Sequence, residues 1–130
     1  MPRHFSTLDV FTNTPLAGNP LAVVSDEQGL DDGAMQKIAR EFNLSETVFI
    51  LPPRDPINTA RLRIFTPSRE LPFARHPTIG AAVLIGLREA PDVMRNQDIL
   101  IAVEEEVGVI SCTVIRRTKS ASDRPLKARA

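Results

Sequence analysis

Pro72-Phe73-Ala74-Arg75-His76-Pro77-Thr78-Ile79-Gly80, continuing through Ala81-Ala82-Val83-Leu84-Ile85-Gly86-Leu87, is the stretch on which the fold of this chain turns. Ile79, Ala81, Ala82, Val83, Leu84, Ile85 and Leu87 offer water no polar face. A helix that is apolar all round belongs inside a core. Pro77 suits the first helical position, where its missing N–H costs nothing and its φ is already helical. His76 then becomes the N-cap, with a loop before it. Backbone N–H groups at such an end, with the helix dipole behind them, favour an anion such as a substrate carboxylate. Taken alone, the stretch has a plainer reading: a buried helix with an ordinary start.

Working outward, the elements on either side read as strands and one further helix. Ala60, Leu62, Ile64 and Thr66 alternate with Arg61, Arg63 and Phe65, which predicts a half-buried strand with its basic side chains outward. Residues 47–51 form a short β-branched and aromatic run closed by Pro52-Pro53. Before it, Met35, Ile38, Ala39 and Phe42 recur at i, i+3, i+4, i+7, behind Asp31 or Asp32 as a cap. That amphipathic helix should stop near Asn43, a residue tolerant of the left-handed conformation. Residues 4–12 and 21–24 read as strands separated by turn chemistry over 13–20. On the other side, Pro91 cannot continue the central helix, and residues 99–104 and 107–115 suggest a hairpin across Glu105-Glu106. With no histidine or other ligand at suitable spacing, Glu104, Glu105 and Glu106 read as an exposed acidic turn rather than a metal site. From 116 to 130 the chain is basic, small and polar, with Arg117, Lys119, Arg124, Lys127 and Arg129. A solvated, partly disordered tail is expected there, after a domain spanning 1–115. Strands around one amphipathic and one buried helix make the fold class α+β.

Composition narrows the function classes. The 130 residues suffice for one domain with one sizeable core, and 42% hydrophobic with 25% charged is ordinary for a soluble globular protein. Sixteen basic and sixteen acidic residues cancel, and there is no Trp or Tyr. Neither an overall field nor a stacking surface therefore argues for nucleic acid or an acidic membrane as partner. Cys112 is the only cysteine, which excludes an internal disulfide and fits a reducing compartment. It sits among Val109, Ile110, Val114 and Ile115 and reads as a core thiol, not a nucleophile. No signal-peptide pattern and no apolar run of spanning length are visible, so a cytoplasmic location is expected. Two histidines and one cysteine leave no metal-ligand cluster, and no glycine-rich phosphate loop is present.

The strongest local candidate for chemistry is Asn43-Leu44-Ser45-Glu46-Thr47, in the link between the amphipathic helix and the next strand. Glu46 stands between apolar segments with hydroxyls on both sides. A carboxylate drawn partly out of water suits a group that must both take and give a proton. The plainer alternative is a capping or salt-bridging side chain.

At this point several separated motifs stand in a familiar order: Asp9-Val10-Phe11-Thr12, Gly18-Asn19-Pro20-Leu21-Ala22-Val23-Val24, Met35-Gln36, Ala39-Arg40-Glu41, Asn43-Leu44-Ser45-Glu46-Thr47, Phe65-Thr66-Pro67 and Glu70-Leu71-Pro72-Phe73-Ala74-Arg75-His76-Pro77-Thr78-Ile79-Gly80. From Phe5 to about Thr113 the chain resembles the N-terminal half of the PhzF family, the phenazine-biosynthesis isomerases and their relatives. The resemblance implies a diaminopimelate epimerase-like fold, in which two similar domains each wrap a barrel-like β-sheet around a buried central helix. The substrate lies between those domains. It implies chemistry without cofactor or metal, in which a glutamate moves a proton on dihydro-hydroxyanthranilate and turns an enol into a ketone. By motif position that glutamate is Glu46. His76 matches the histidine of the proline-flanked loop, whose backbone amides would hold a substrate carboxylate. Ser45 and Asn19 match positions that line the cleft.

Two departures stand out. The family loop usually reads Gly-His-Pro-Thr, and Arg75 occupies the glycine position. If that position needs φ > 0, arginine strains the loop by about 1–2 kcal/mol and crowds the anion pocket, which is the expected outcome. If φ is negative, the guanidinium is free to hold a carboxylate as a two-pronged donor. Secondly, 116–130 would be the start of a crossover to a second domain, with the opposite cleft wall missing. The leading expectation is an isomerase domain acting on a small carboxylate-bearing substrate and incomplete without that domain, associating as a homodimer or with a separate second domain. The alternatives are a non-catalytic binding or assembly module with the same fold, and a piece of a longer enzyme.

Overall fold

The computed structural model describes residues 5–10, 19–25, 30–89, 99–119 and 122–129. These form β1 (Phe5–Val10), β2 (Asn19–Val24), α1 (Asp32–Phe42), β3 (Glu46–Leu51), β4 (Ala60–Phe65), β5 (Glu70–Leu71), α2 (Arg75–Glu89), β6 (Ile99–Glu105), β7 (Gly108–Lys119) and β8 (Ser122–Arg129). The eight strands make one mixed sheet in the order β1-β2-β3-β4-β6-β7-β8, with β5 attached to β4. The mixture of strands and helices agrees with an α+β chain. Most of the turn expected over 13–20 and the stretch 90–98 after the central helix lie outside the described residues.

α1 begins and ends as its sequence dictates. Asp31 caps it, its Oδ1 accepting from Ala34 N–H at 2.7 Å, which satisfies one of the donors a helix start leaves open. Asn43 ends it in the left-handed conformation at φ 53°, with its N–H donating to Ala39 O. Met35 and Ala39 are buried against Val24, Phe49 and Phe65.

β4 is covered on both faces. Ala60, Leu62 and Ile64 join Leu21, Val48, Ala81, Leu84, Ile85, Ile101 and Val114 in the larger core. The opposite face carries Phe65 under α1, edge-on to Phe49 at 5.4 Å. The outward basic face expected for this strand is therefore not simply solvated. Arg63 is only 14% exposed, donating from Nε and Nη2 to the two oxygens of Glu70 at 2.8 and 2.6 Å and from Nη1 to Asp32 at 2.6 Å. This two-pronged pairing ties β4, β5 and α1 together.

α2 touches β1, β2, β3, β6, β7 and β8. It starts at Arg75, two residues earlier than expected, so His76 is helical and Ala74 precedes the helix. Thr78 N–H donates to Ala74 O at 3.3 Å, and Pro77 sits inside the first turn, where its missing N–H is still harmless. Ala81 and Ala82 are fully buried, whereas Val83 is half-buried and Leu87 is 39% exposed, so burial thins toward the end of the helix.

The second half departs most from expectation. The hairpin turns at Glu106-Val107, one residue later than read, and Gly108 supplies φ 132°, which side chains rarely adopt. The three glutamates are not an exposed acidic turn. Glu104 accepts from Arg54 N–H, Asp55 N–H and Asn58 Nδ2–H, which hold its carboxyl below the usual range and fix the loop before β4. Glu105 is buried, and Glu106 alone is exposed. The boundary read at 115/116 falls inside β7, and the stretch expected as a solvated tail instead pairs as the end of β7 and β8. Backbone pairing there outweighs the polar composition that suggested a tail. Cys112 is a fully buried thiol, pushed up in pKa by burial and then by Glu105. No helix among the described residues is long and apolar enough to cross a membrane.

Leu84 in the middle of α2 provides a direct check on this architecture. Leu84→Ala should destabilise the chain by about 2–5 kcal/mol in chemical denaturation, as buried leucines do. A loss below about 0.5 kcal/mol, the range of surface positions, would place α2 at the periphery.

Candidate active site

The left-handed cap at Asn43 turns the chain out of α1, and β3 starts at Glu46. The parallel register sets Leu21 of β2 beside Glu46. Asn19, at the start of β2, therefore lies at the same end of the sheet. The first turn of α2 reaches this end too. His76 Nδ1 stands 3.1 Å from Glu46 Oε1, at hydrogen-bonding distance, with side chains 17% and 13% exposed. Two residues far apart in sequence thus meet because one opens β3 and the other opens α2.

The geometry splits the carboxylate into two roles. Oε1 is engaged by the imidazole, which fixes the orientation of the group. Oε2 is buried and has no hydrogen-bond partner among the described residues. Buried polar atoms are seldom left that way unless a ligand or proton transfer uses them. A carboxylate held by one oxygen, with the other left without a protein partner among the described residues, has the free acceptor that proton exchange with a bound molecule would need.

The remaining sequence candidates fall nearby on the chain with differing support. Arg75 is the first residue of α2 and is exposed. Its φ is not positive, because Asn43 is the only non-glycine residue with positive φ among the described residues. The expectation of strain at Arg75 is therefore corrected: the helix starts early enough to place this residue in ordinary right-handed backbone. Ser45 is exposed in the turn before β3. Asn19 is placed by its backbone alone. Among the described residues no group of three or more His, Cys, Asp and Glu is arranged to hold a metal ion.

One pair beside this site escaped the sequence reading. Thr78, on the same helix turn as His76, meets Glu105 of β6 at 2.7 Å. The signal was present: Ile101, Val103 and Glu105 alternate, and the period of a strand puts Glu105 on the inner face.

Comparison with known proteins identifies the family. Residues 8–125 match the family model described as PhzC-PhzF, phenazine biosynthesis-like protein. An uncharacterised isomerase of Mesorhizobium japonicum is 50% identical over 119 residues, covering 92% of this chain and 38% of its own length. A trans-2,3-dihydro-3-hydroxyanthranilate isomerase of Pseudomonas aeruginosa is 41% identical over 117 residues, covering 86% of this chain and 42% of its own. The solved structure of a predicted epimerase of Pseudomonas aeruginosa superposes with a TM-score of 0.78 at 39% identity, over 89% of this chain and 39% of that one. The chain thus spans about two fifths of the length of the relatives it matches. With a family model covering most of its residues and a closely superposing fold, this chain belongs to the PhzC-PhzF family of phenazine biosynthesis-like proteins.

Proposed function

We propose that this chain is one half of an isomerase of the PhzF type, which moves a proton on a small carboxylate-bearing substrate with Glu46 as general acid and base. The observation that carries the reading is the Glu46–His76 pair, in which one carboxylate oxygen is held and the other is buried without a partner among the described residues. In this reading the sheet closes as a barrel-like layer around α2, and a second domain or a second copy supplies the facing wall of the cleft. Glu46 Oε2 takes a proton from one carbon of the substrate, leaving an enolate-like electron system, and returns it at another position. His76 keeps the carboxylate turned toward the substrate. No metal or cofactor is called on, since one residue both removes and delivers the proton. The relative of known reaction has a carboxylate on its substrate by its own name, trans-2,3-dihydro-3-hydroxyanthranilate, and a substrate of that class is the one proposed here.

Arg75 receives a role in this proposal. A cation in the first turn opposes the helix dipole, by about 0.3–1 kcal/mol, and α2 has no acidic residue in that turn to offset it. A substrate carboxylate at this end would satisfy the dipole and the guanidinium together. Ser45 and Asn19 would line the same cleft.

Glu46→Gln preserves shape and hydrogen bonding but cannot cycle a proton. In a turnover assay of the chain with a supplied second domain, kcat should fall by about 10²–10⁴-fold with little change in stability. Unchanged kcat would remove Glu46 from the chemistry. Absence of turnover in every preparation, with carboxylates still bound, would favour the binding-module alternative.

For Arg75→Gly, small carboxylates titrated by calorimetry should bind more weakly, by roughly 10-fold for a lost charged hydrogen bond. Tighter binding would mean that Arg75 obstructs the pocket.

A further inference from the structure

β6 alternates Ile101, Val103 and Glu105 toward the core, so a carboxyl is built into a row otherwise made of hydrocarbon. Glu105 is 9% exposed and Thr78 is fully buried. Thr78 Oγ1 lies 2.7 Å from Glu105 Oε2 and 2.8 Å from Ala74 O, the carbonyl immediately before α2. Three oxygens in two short contacts need two hydrogens. The threonine hydroxyl supplies one. A single hydroxyl hydrogen can serve both acceptors only as a shared, weakened bond, whereas a carboxylic acid on Glu105 gives each contact its own hydrogen, its Oε2–H donating to Thr78 Oγ1 while Thr78 donates to Ala74 O.

The other oxygen points the same way. Glu105 Oε1 is buried and has no hydrogen-bond partner among the described residues. That is tolerable for the carbonyl of a neutral acid and costly for half of an unpaired carboxylate. The charged and titratable groups facing Glu105 do not rescue the ionised form. Arg61 and Arg63 from β4, Glu70 from β5, Arg54 from the loop before β4 and Glu106 from its own turn line a groove of about 330 Å³ with it, and Cys112 faces it from β7. Arg63 is already held by Glu70 and Asp32. No ion pair to Glu105 is formed among the described residues.

We infer that Glu105 is a neutral carboxylic acid that pins the start of α2 through Thr78, and that its ionisation releases the turn carrying Arg75 and His76. On ionisation the Thr78 hydrogen swings to the carboxylate and Ala74 O loses its short bond. What remains there is the longer 3.3 Å contact from Thr78 N–H. Glu105 is thus a positioning residue, acting on the helix end and not on a substrate. The inference is independent of whether the chain catalyses anything, and its test needs no substrate.

Burial pushes the Glu105 carboxyl up to about 7, and only a Thr78 hydroxyl turned to donate to the ionised carboxylate would pull it back down. A carboxyl raised in the folded state binds its proton more tightly folded than unfolded. The stability it contributes is therefore fully present below the ordinary glutamate range near 4.5 and is lost as pH rises through about 7. Glutamine keeps a donor toward Thr78 at every pH. Thermal unfolding of the 130-residue chain from pH 5 to 8 should show Glu105→Gln gaining on the wild type, the difference between midpoints widening by roughly 5–10 °C. Backbone amide shifts of Arg75 and Thr78 should follow the same step in the wild type and in Thr78→Ser, but not in Thr78→Val or Glu105→Gln. Should the glutamine variant fail to fold, the ¹³Cδ resonance of Glu105 in the wild type reads the same event directly, and should titrate near 7. A midpoint difference that stays constant with pH, a Glu105 resonance titrating near the ordinary value of about 4.3, or Arg75 and Thr78 amides unmoved through the step would each overturn the inference.

Discussion

The packing of α2 against β1, β2, β3, β6, β7 and β8 governs the rest of this structure. A run with Ala81 and Ala82 fully buried and Leu84 and Ile85 nearly so can be satisfied neither by water nor by a single supporting layer. Strands from both ends of the described chain must therefore come to it. Sheet order follows from that demand: β2, β3 and β4 bring Leu21, Val48 and Ile64 to one side, while β6 and β7 bring Ile101, Val103 and Val114 to the other. At about 25 cal/mol for each Å² of apolar surface removed from water, this face dominates any single polar contact in the chain.

The same demand leaves a discontinuity along β4. One edge of β4 is shared, paired with β6 at Ala60 and Arg61 and with β5 at Ile64 and Phe65. Leu62 and Arg63 lie between, where neither neighbour pairs, and the groove opens there. Arg63 and Glu70 close its rim with two parallel hydrogen bonds. On the other edge, β3 pairs with β4 from Thr47 to Leu51 and with β2 from Glu46 to Phe49, so Glu46 opens the strand with Leu21 as its one ladder partner. A carboxylate at the start of a regular strand, and not on a long loop, has its position set by the ladder rather than by a flexible segment.

Much of this was legible in the residues. Spacing of Met35, Ile38, Ala39 and Phe42, with Asp31 and Asn43 at the ends, located α1 because local rules decide a capped amphipathic helix. Separated motifs around Glu46 and His76 carried the family, although nothing local could say that these two side chains touch. That contact depends on the parallel register of β2 with β3 and on where α2 begins. The start of α2 was misread because proline fits several positions of a first turn, and Ala74 is no obvious cap. Arg75 was misjudged for the same reason: φ at that position depends on whether the helix has already started. The buried Glu105 was hidden by its neighbours, since three glutamates in a row read as solvent-facing until strand period is applied through the turn. The polar composition after 115 hid β8, whose pairing is a property of the backbone.

Three ionisable side chains converge on one helix end, and their surroundings differ in kind. Glu46 stands where an imidazole lies 3.1 Å from one oxygen, at the N-terminal end of α2. Arg75 carries a full positive charge outward at that same end, exposed to water. Glu105 is buried, with the Thr78 hydroxyl as its hydrogen-bond partner and no ion pair among the described residues, although charged side chains line the groove beside it. Electrostatics alone would pull both acids toward the helix start and push the arginine away. Burial reverses the order for Glu105, because an unpaired charge in the core costs more than a dipole returns. The helix start is thus held by a neutral acid from beneath and by the Glu46–His76 contact from the side. The two acids thus meet the helix start in different ways, Glu46 through an imidazole of the helix itself and Glu105 through the hydroxyl one turn in.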